Sequence, residues 1–191
     1  MPLKETQILL ARLFTDADLR RAFAEDPVAI ARRFGLNEKE AREFARVDQA
    51  ALARFAQSLL SKRALDARKA LPLTARVLGD EFERRFFEAV SGPPAPARYR
   101  ADAAALARRL AALAEGEGAP AWIGDLARYE LAFVAASHPG AVCLFRRFRY
   151  PVARIASTLL LGGTPDAAPR TSVGVWLRAP GTRLFYRFAS R

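Results

Sequence analysis

Cysteine and histidine are almost absent from this 191-residue sequence, which contains one residue of each kind, Cys143 and His138. A disulfide needs two cysteines, and zinc sites are built mainly from several cysteine and histidine side chains. The one possible cysteine–histidine pair, Cys143 with His138, is not expected to be nucleophilic, because each residue has a structural explanation given below. The sequence therefore predicts no metal site, no cofactor site and no catalytic residues, and hence a protein that is not an enzyme.

Long apolar runs are also missing, because no stretch approaches the roughly 18 uninterrupted apolar residues of a membrane-spanning helix. The segment from Met1 to Glu5 is not a positive region followed by an apolar one, which is the pattern of a secretory signal. We therefore expect a cytoplasmic protein with no membrane partner. Hydrophobic residues still make up 51% of the chain, enough to form a sizeable core.

Acidic residues are scarce in the last quarter of the chain. Residues 1–140 carry 22 basic and 19 acidic side chains, whereas residues 141–191 carry nine arginines and a single acid, Asp166. The net charges of +3 and +8 place most of the positive field in the second of these segments. A one-sided field attracts anionic partners, either phosphates or carboxylate-rich peptides.

The first 137 residues show the pattern of a helical region. Leu71-Pro72 is expected to break the chain, and later helices are predicted at about 80–91, 100–114 and 120–137. Capping patterns mark the earlier helix starts: Thr15 with Asp16, Asp26 before Pro27, Asn37 with Glu40, and Asp48 before a long helix that runs to about Ala70.

After residue 140 the hydrophobic period changes from that of helices to the alternation of strands. A β-α-β-β unit of about 50 residues is too small to be stable alone, so we expect it to pack on the helices. The sequence thus predicts an α+β fold, with a mainly helical subdomain at 1–140 and a small, basic, mixed-sheet subdomain at 141–191. The predicted elements are strands at 142–150, 171–178 and 183–188, and a helix at 151–161.

The final hairpin is the candidate binding site. If Pro180-Gly181 is its centre, Trp176 lies opposite Phe185, and Arg178 lies opposite Arg183 on the same face. Facing arginines repel each other, and an anionic partner would relieve that repulsion while the aromatic pair supplied contact area. Alternatively, the aromatic pair packs on the helices, and the arginines are solvated or paired with acids. The predicted peptide-binding residues are Arg146, Arg149, Trp176, Arg178, Arg183, Phe185 and Arg187.

Three other residues are candidates for chemistry, but each has a simpler structural explanation. We expect Cys143 to be a small buried residue of a strand and His138 to cap the end of a helix. Glu130 lies beside the apolar stripe of its helix, where we expect an arginine partner. No second carboxylate or histidine is placed by the sequence to act with Glu130 in acid–base catalysis.

Three segments carry a family resemblance: Ser58 to Arg63, Leu71 to Gly79 and Trp122 to Glu130. They resemble a family of bacterial helical proteins whose members were first labelled DNA-binding. Genes of this family lie beside genes for multinuclear non-haem iron oxidative enzymes, which modify ribosomally made peptides. The methanobactin subunit MbnC is a more distant relative. The resemblance covers residues 6–137, and the final β-α-β-β unit is similar to that of one branch. It implies a non-catalytic partner that binds the iron enzyme and presents a precursor peptide, whose leader adds a strand to the C-terminal sheet.

The function expected from these features is leader-peptide recognition by β-augmentation in the biosynthesis of a ribosomally made, modified peptide (RiPP). The resemblance implies that the iron belongs to the partner enzyme, so we expect this chain to need no cofactor. The alternative is a DNA-binding regulatory protein whose basic C-terminal region contacts phosphates. The sequence shows no clear helix-turn-helix with base-reading side chains, so we expect only weak, non-specific binding to nucleic acid. A stand-alone enzyme is the third option.

Overall fold

The computed structural model describes residues 3–90, 92, 98–113, 118–137, 140 and 142–190. Helices dominate the described chain up to residue 136, and a small sheet with one further helix follows, which confirms the predicted α+β fold. The helix end predicted at His138 lies outside the described residues. The elements are α1 (Leu3–Thr15), α2 (Ala17–Glu25), α3 (Pro27–Arg33), α4 (Glu38–Phe44), α5 (Gln49–Ala70), α6 (Pro72–Leu78), α7 (Glu81–Ala89), α8 (Arg98–Ala111), α9 (Ile123–Ala136), β1 (Val142–Phe148), α10 (Val152–Leu160), β2 (Ser172–Arg178) and β3 (Phe185–Ser190).

Close contacts between backbone positions divide the chain into two compact units. The first comprises the described residues of 1–64 and 90–96, and the second those of 65–89 and 97–191. Helix α5 contributes to both, since the division falls within it. Residue 140, where the sequence predicts a subdomain boundary, lies within the range of the second unit, and a division at that residue stays a prediction.

The first unit contains short helices whose starts are fixed by local side chains. Asp26 accepts a hydrogen bond from the N–H of Ala29 at 2.9 Å, and Pro27 occupies the first turn of α3. Asn37 and Glu40 form a complete capping box at the start of α4, with both hydrogen bonds at 3.0 Å. The core of this unit contains Leu9, Leu13, Phe23, Ala31, Leu36, Ala41, Phe44 and Leu52.

The start of α2 differs from the prediction by one residue. Asp16, and not Thr15, accepts the capping hydrogen bond, which comes from the N–H of Leu19 at 3.0 Å. Thr15 is the last residue of α1, and its hydroxyl donates to the carbonyl of Ala11 at 2.9 Å. The hydroxyl is therefore engaged with the preceding helix, and the next acceptor along the chain caps α2.

Helix α6 begins where a break was predicted. Pro72 occupies its first turn, a position at which the missing N–H of proline does no harm. Leu71 precedes it without a side-chain capping hydrogen bond, so the N–H groups in the first turn of this helix need an acceptor from elsewhere in the chain.

Helix α9 organises the second unit. Its start lies very close to α8: a Cβ atom added at Gly124 would stand 2.5 Å from the Cα atom of Ala111, so no larger residue fits there without displacement. Further along α9, the sheet and α10 pack against it. The core at this point contains Ala132, Ala136, Phe148, Val152 and Trp176.

The sheet is antiparallel throughout, with strand order β1-β2-β3, so the predicted mixed sheet is wrong. The chain leaves β1 at Phe148, and β2 begins at Ser172, which lies directly opposite. Helix α10 and the loop after it thus return the chain to the end of the sheet that it has just left. A parallel pairing would instead need a crossover to the opposite end.

The predicted register of the final hairpin is wrong by one residue. Trp176 lies opposite Tyr186, and Leu177 lies opposite Phe185. Arg178 lies opposite Val142 of β1, whereas Arg183 precedes β3, so the two arginines do not face each other across strands. A shift of one residue moves every side chain of β3 to the opposite face of the sheet. Trp176 and Phe185 therefore point to different faces.

Candidate functional site

The turn that leads out of β1 is held by one carboxylate of α9. Asp125 accepts hydrogen bonds from the N–H groups of Arg149 and Tyr150 at 2.6 and 3.1 Å, and it pairs with Arg128 at 2.9 Å. The hydroxyl of Ser172 at the start of β2 donates to the carbonyl of Tyr150 at 2.6 Å. These bonds fix one end of the sheet, and with it the positions of the exposed side chains described below.

The inner face of the sheet is a packed aromatic layer. Trp176 has no exposed surface, and its ring centre lies 5.5 Å from that of Phe133 and 5.2 Å from that of Phe188. A Cβ atom at Gly174 would stand 2.5 Å from the Phe188 ring and 2.6 Å from the Trp176 ring, so glycine is required for this packing. For Trp176 the structure thus supports the alternative reading, in which it packs on the helices.

The outer face of the sheet is largely apolar and exposed. Phe145 of β1 is 60% exposed, Phe185 of β3 is 58% exposed, and Leu177 of β2 between them is 40% exposed. Cys143 lies opposite Leu177 on this face and is exposed, so its predicted burial is wrong. Its side chain points away from the helices because strand residues alternate between faces.

Two shallow hollows on the sheet each contain arginines. The first, of about 460 Å3, lies at the hairpin end and is lined by Arg178, Arg183, Leu177 and Phe185 among others. The second, of about 700 Å3, lies at the opposite end, where Arg147 and Arg170 flank Val173 and Pro169. The structure therefore brings together three of the predicted site residues, Arg178, Arg183 and Phe185, although their predicted pairing is wrong.

The other predicted residues lie apart from this group. The Arg146 guanidinium donates to the carbonyl of Phe145 at 2.9 Å, and that of Arg149 stands over the Tyr150 ring. Arg187 is exposed on the outer face, in the row that contains Phe145 and Val175.

Sequence reasoning missed Phe145, Leu177 and Arg147 as members of the open face. The alternation of Cys143, Phe145 and Arg147 along β1 was the available signal. It could be used only with knowledge of which face the helices cover, and that depends on the tertiary packing.

The two edges of the sheet differ in how their backbone groups are used. In β1, the carbonyls of Phe145 and Arg147 accept hydrogen bonds from the guanidinium groups of Arg146 and Arg128 at 2.9 and 3.1 Å. Within the part of the chain that the structure describes, no side-chain hydrogen bond reaches a backbone group of β3, which pairs only with β2. The edge of β3 is thus available for another strand.

The charge around the sheet is almost entirely positive. Asp166 is the single acid of residues 142–190. Among the described residues, the guanidinium groups of Arg147, Arg183 and Arg187 have no carboxylate within ion-pair distance. An anionic partner would therefore meet a field that the protein does not neutralise itself.

Glu130 has a structural role that differs from the prediction. It is 6% exposed, and its two carboxylate oxygens accept hydrogen bonds from the N–H of Leu73 at 2.7 Å and from the N–H and hydroxyl of Thr74 at 2.9 and 2.6 Å. The prediction of an arginine partner is wrong, because this carboxylate instead caps the start of α6. Burial raises the pKa of Glu130, and the hydrogen bonds from Thr74 and Leu73 oppose that rise.

The described residues contain neither a cluster of potential metal ligands nor a helix that could span a membrane. They contain no group of three or more histidine, cysteine, aspartate or glutamate side chains that could hold a metal ion. No helix in the same part of the chain is long and apolar enough to cross a membrane.

A comparison with known protein families finds one similarity. Residues 45–112 are similar to the family described as SCO6045-like, C-terminal domain. The similar segment contains α5, α6, α7 and α8, and it includes two of the three segments that carry the resemblance described above. It ends before α9 and the sheet. No curated protein and no solved structure matches the chain.

Proposed function

We propose that this protein is a non-catalytic partner of a multinuclear non-haem iron oxidative enzyme, and that it binds the acidic leader segment of a precursor peptide along β3. The observation that carries the proposal is the open edge of β3, beside the hollow that contains Arg178 and Arg183. An extended peptide added to a sheet edge gains affinity from main-chain hydrogen bonds, and side-chain contacts give it selectivity.

The arginines favour an acidic peptide over a neutral one. Arg183 lies immediately before β3, and Arg187 lies within it, so carboxylates of an added strand could approach both. Charge complementarity of this kind speeds encounter and rejects basic competitors more than it raises affinity. The peptide's carboxylates would supply the negative charge that residues 142–190 lack.

The role of the iron enzyme rests on the resemblance carried by Ser58 to Arg63, Leu71 to Gly79 and Trp122 to Glu130. In this proposal the partner enzyme holds the iron and performs the oxidation, whereas this chain binds and presents the peptide. A gene for such an enzyme beside this one, with co-elution of the two proteins in size-exclusion chromatography after co-expression, is the expected result. Separate elution of the two co-expressed proteins would count against the proposal.

A synthetic peptide tests the edge directly. The probe is a fluorescent peptide of about 12 residues with alternating glutamate and valine, and its matched control carries N-methyl groups on alternate amides. We expect saturable binding of the first and at least about tenfold weaker binding of the second, because N-methylation removes the main-chain donors. Equal affinities would show that strand addition is not the mechanism.

Charge reversal tests the arginines. Arg183→Glu should weaken binding of the glutamate–valine peptide several-fold, because attraction is converted into repulsion. Arg54→Glu is the control, since Arg54 is an exposed arginine of α5 that pairs with Asp48 at 3.6 Å. It should leave the affinity unchanged.

The net charge of +8 in residues 141–191 also favours a second candidate function, that of a DNA-binding regulator. Salt dependence distinguishes the two. Affinity for duplex DNA should fall by about one log unit per log unit of salt for each phosphate neutralised. We expect the peptide complex to lose less, because main-chain hydrogen bonds are screened less than charges. A nanomolar, sequence-selective complex with DNA at physiological salt would replace our proposal with the regulator.

A further inference from the structure

The outer face of the sheet departs from the usual pattern of antiparallel sheets. Where one face of such a sheet packs on helices, the other normally carries polar residues. Here the outer face of β2 presents Val173, Val175 and Leu177, with Phe145 and Phe185 exposed on either side. Contiguous exposed apolar surface rimmed by polar groups is typical of an interaction site.

Arginines are placed at both ends of this apolar strip. Arg178 and Arg183 line the hollow at the hairpin end, and Arg147 and Arg170 line the hollow at the other end. The strip between them follows β2, whose outward residues are aliphatic, and Arg187 of β3 is the charged residue beside its centre. A complementary partner therefore has an apolar middle and carboxylates near both of its ends.

We propose that this outer face binds an amphipathic α-helix of another protein, with an apolar stripe that packs along β2 and carboxylates that reach the two arginine hollows. The seven residues of β2 span about 24 Å. A helix of about 16 residues has the same length at 1.5 Å per residue. The inference shares the hollow of Arg178 and Arg183 with the proposed function, but it differs in the rest of its contacts, because strand addition uses main-chain groups of β3 and the helix packs on side chains of β1 and β2.

Charge decides against two other occupants. A second copy of the chain would bring its own net charge of +11 and its own arginines to the same face, which opposes self-association. A single-stranded nucleic acid could stack bases on Phe145 and Phe185, but its phosphates recur at every nucleotide, whereas the outward residues of β2 are aliphatic and Arg187 is the one cation in their central row. The aliphatic centre fits leucine or valine side chains better.

The probe is a stapled 16-residue helix with a leucine stripe and two glutamates at each end, labelled for fluorescence anisotropy. We expect saturable binding at micromolar concentrations. A second helix with lysines in place of the glutamates should not bind, since it meets the same arginines with like charge. Failure of the glutamate helix to bind at concentrations up to about 1 mM would overturn the inference.

The variants of the face are Phe145→Thr and the double variant Phe145→Thr/Val175→Thr, because threonine keeps strand propensity while it removes apolar contact. Each should weaken binding of the glutamate helix, the double variant by about tenfold or more. Leu161→Thr is the matched control, because Leu161 is 89% exposed and lies outside the sheet. Equal losses for control and variants would overturn the inference. Arg147→Glu tests the charge at one end of the face without altering the apolar strip, and it should likewise weaken binding of the glutamate helix.

Two further measurements would show whether a different molecule binds to this face of the sheet. A wild-type dimer in sedimentation velocity that Phe145→Thr converts to a monomer would assign the face to a second copy. Tighter binding of a uridine dodecamer than of the glutamate helix, lost in Phe145→Thr, would assign it to single-stranded RNA. Both results would overturn our proposal. Binding of the glutamate–valine peptide to β3 should be unchanged in Phe145→Thr, so that failure of one proposal leaves the other to be judged separately.

Discussion

Arginines in the first four helices and arginines in the C-terminal sheet region differ in whether they form ion pairs with acids. In α1 to α4 arginines lie next to acids three or four residues away, such as Arg12 with Asp16 at 3.0 Å and Arg42 with Glu38 at 2.9 Å. Arg147, Arg183 and Arg187 of the sheet region have no such partner among the described residues. Exposed pairs stabilise a fold by only a few tenths of a kcal/mol each. Arginines of the two regions thus differ in whether a nearby acid pairs with them, as Arg12 and Arg42 show on one side and Arg147, Arg183 and Arg187 on the other.

The two faces of the sheet differ just as clearly. The inner face, with Trp176 at its centre, joins the strands to α9, whereas the outer face carries Phe145 and Phe185, which no described element covers. Both faces contain aromatic residues, so composition does not distinguish them. Only the register and the packing show which aromatics are buried in the fold and which are exposed.

The largest expected effect separates the two faces. Trp176→Ala should lower the free energy of unfolding by about 3–5 kcal/mol, because it leaves a large cavity beside Phe133 and Phe188. Phe185→Ala, on the outer face, should lower it by less than about 0.5 kcal/mol. Urea denaturation of both variants checks this. Similar losses for the two would mean that the outer face is covered in the folded protein.

The second effect concerns the link between α9 and α6. Glu130→Ala should cost about 2–3 kcal/mol, because it leaves the buried N–H groups of Leu73 and Thr74 without an acceptor. Urea denaturation at neutral pH measures this loss. As a control, Asn37→Ala removes an ordinary exposed cap and should cost about 1 kcal/mol. A smaller loss for Glu130→Ala than for Asn37→Ala would show that water replaces the carboxylate.

The pH dependence of stability should carry the signature of Glu130. Its pKa is raised in the folded protein, mainly by burial, so between the unfolded and folded pKa values the folded state binds more protons. Stability contributed by protonation is therefore present at low pH and is lost as pH rises through the folded pKa. Subtracting the unfolding free energy of Glu130→Gln from that of the wild type should give a difference that decreases with pH above about 4. A difference that increases would contradict the raised pKa.

The third effect tests how closely the inner face is packed. Gly174→Ala should cost about 1–3 kcal/mol, since the added methyl group meets the rings of Phe188 and Trp176. Ala189→Val on the outer face is the control, because its larger side chain points to the open face. Thermal unfolding of both variants gives the comparison, and an unchanged midpoint for Gly174→Ala would show that the rings can move aside.

Local signals in the sequence predict much of the helical region. Asp26 before Pro27, and Asn37 with Glu40, mark helix starts because a cap involves residues within one turn of each other. The cap of α6 could not be predicted in this way. It comes from Glu130, 56 residues beyond Thr74, and such an acceptor is known only from the tertiary structure.

The candidate site was predicted less well because a sheet depends on register. The prediction placed Pro180-Gly181 at the centre of a tight turn, but residues 179–184 connect β2 to β3, and the Thr182 hydroxyl bonds with the backbone of Ala179 within that connection. The resulting shift by one residue exchanged the two faces. Arg178, Arg183 and Phe185 still line one hollow, because all three lie close to the turn, where the choice of face matters least.

The smallest expected effect on stability is that of Arg183→Glu, and it tests whether this arginine is paired within the fold. Were Arg178 and Arg183 opposite each other in the sheet, the variant would replace repulsion with a cross-strand ion pair and would stabilise the protein. In the observed register Arg183 precedes β3 and has no carboxylate partner among the described residues, so we expect a change below about 0.5 kcal/mol in urea denaturation. Arg42→Glu, which breaks the pair with Glu38, should be slightly destabilising by comparison. A loss above about 1 kcal/mol for Arg183→Glu would mean that this arginine is already paired within the fold. Arg183 would then no longer differ from the paired arginines of the helices, and the comparison between the two regions would be wrong at this residue.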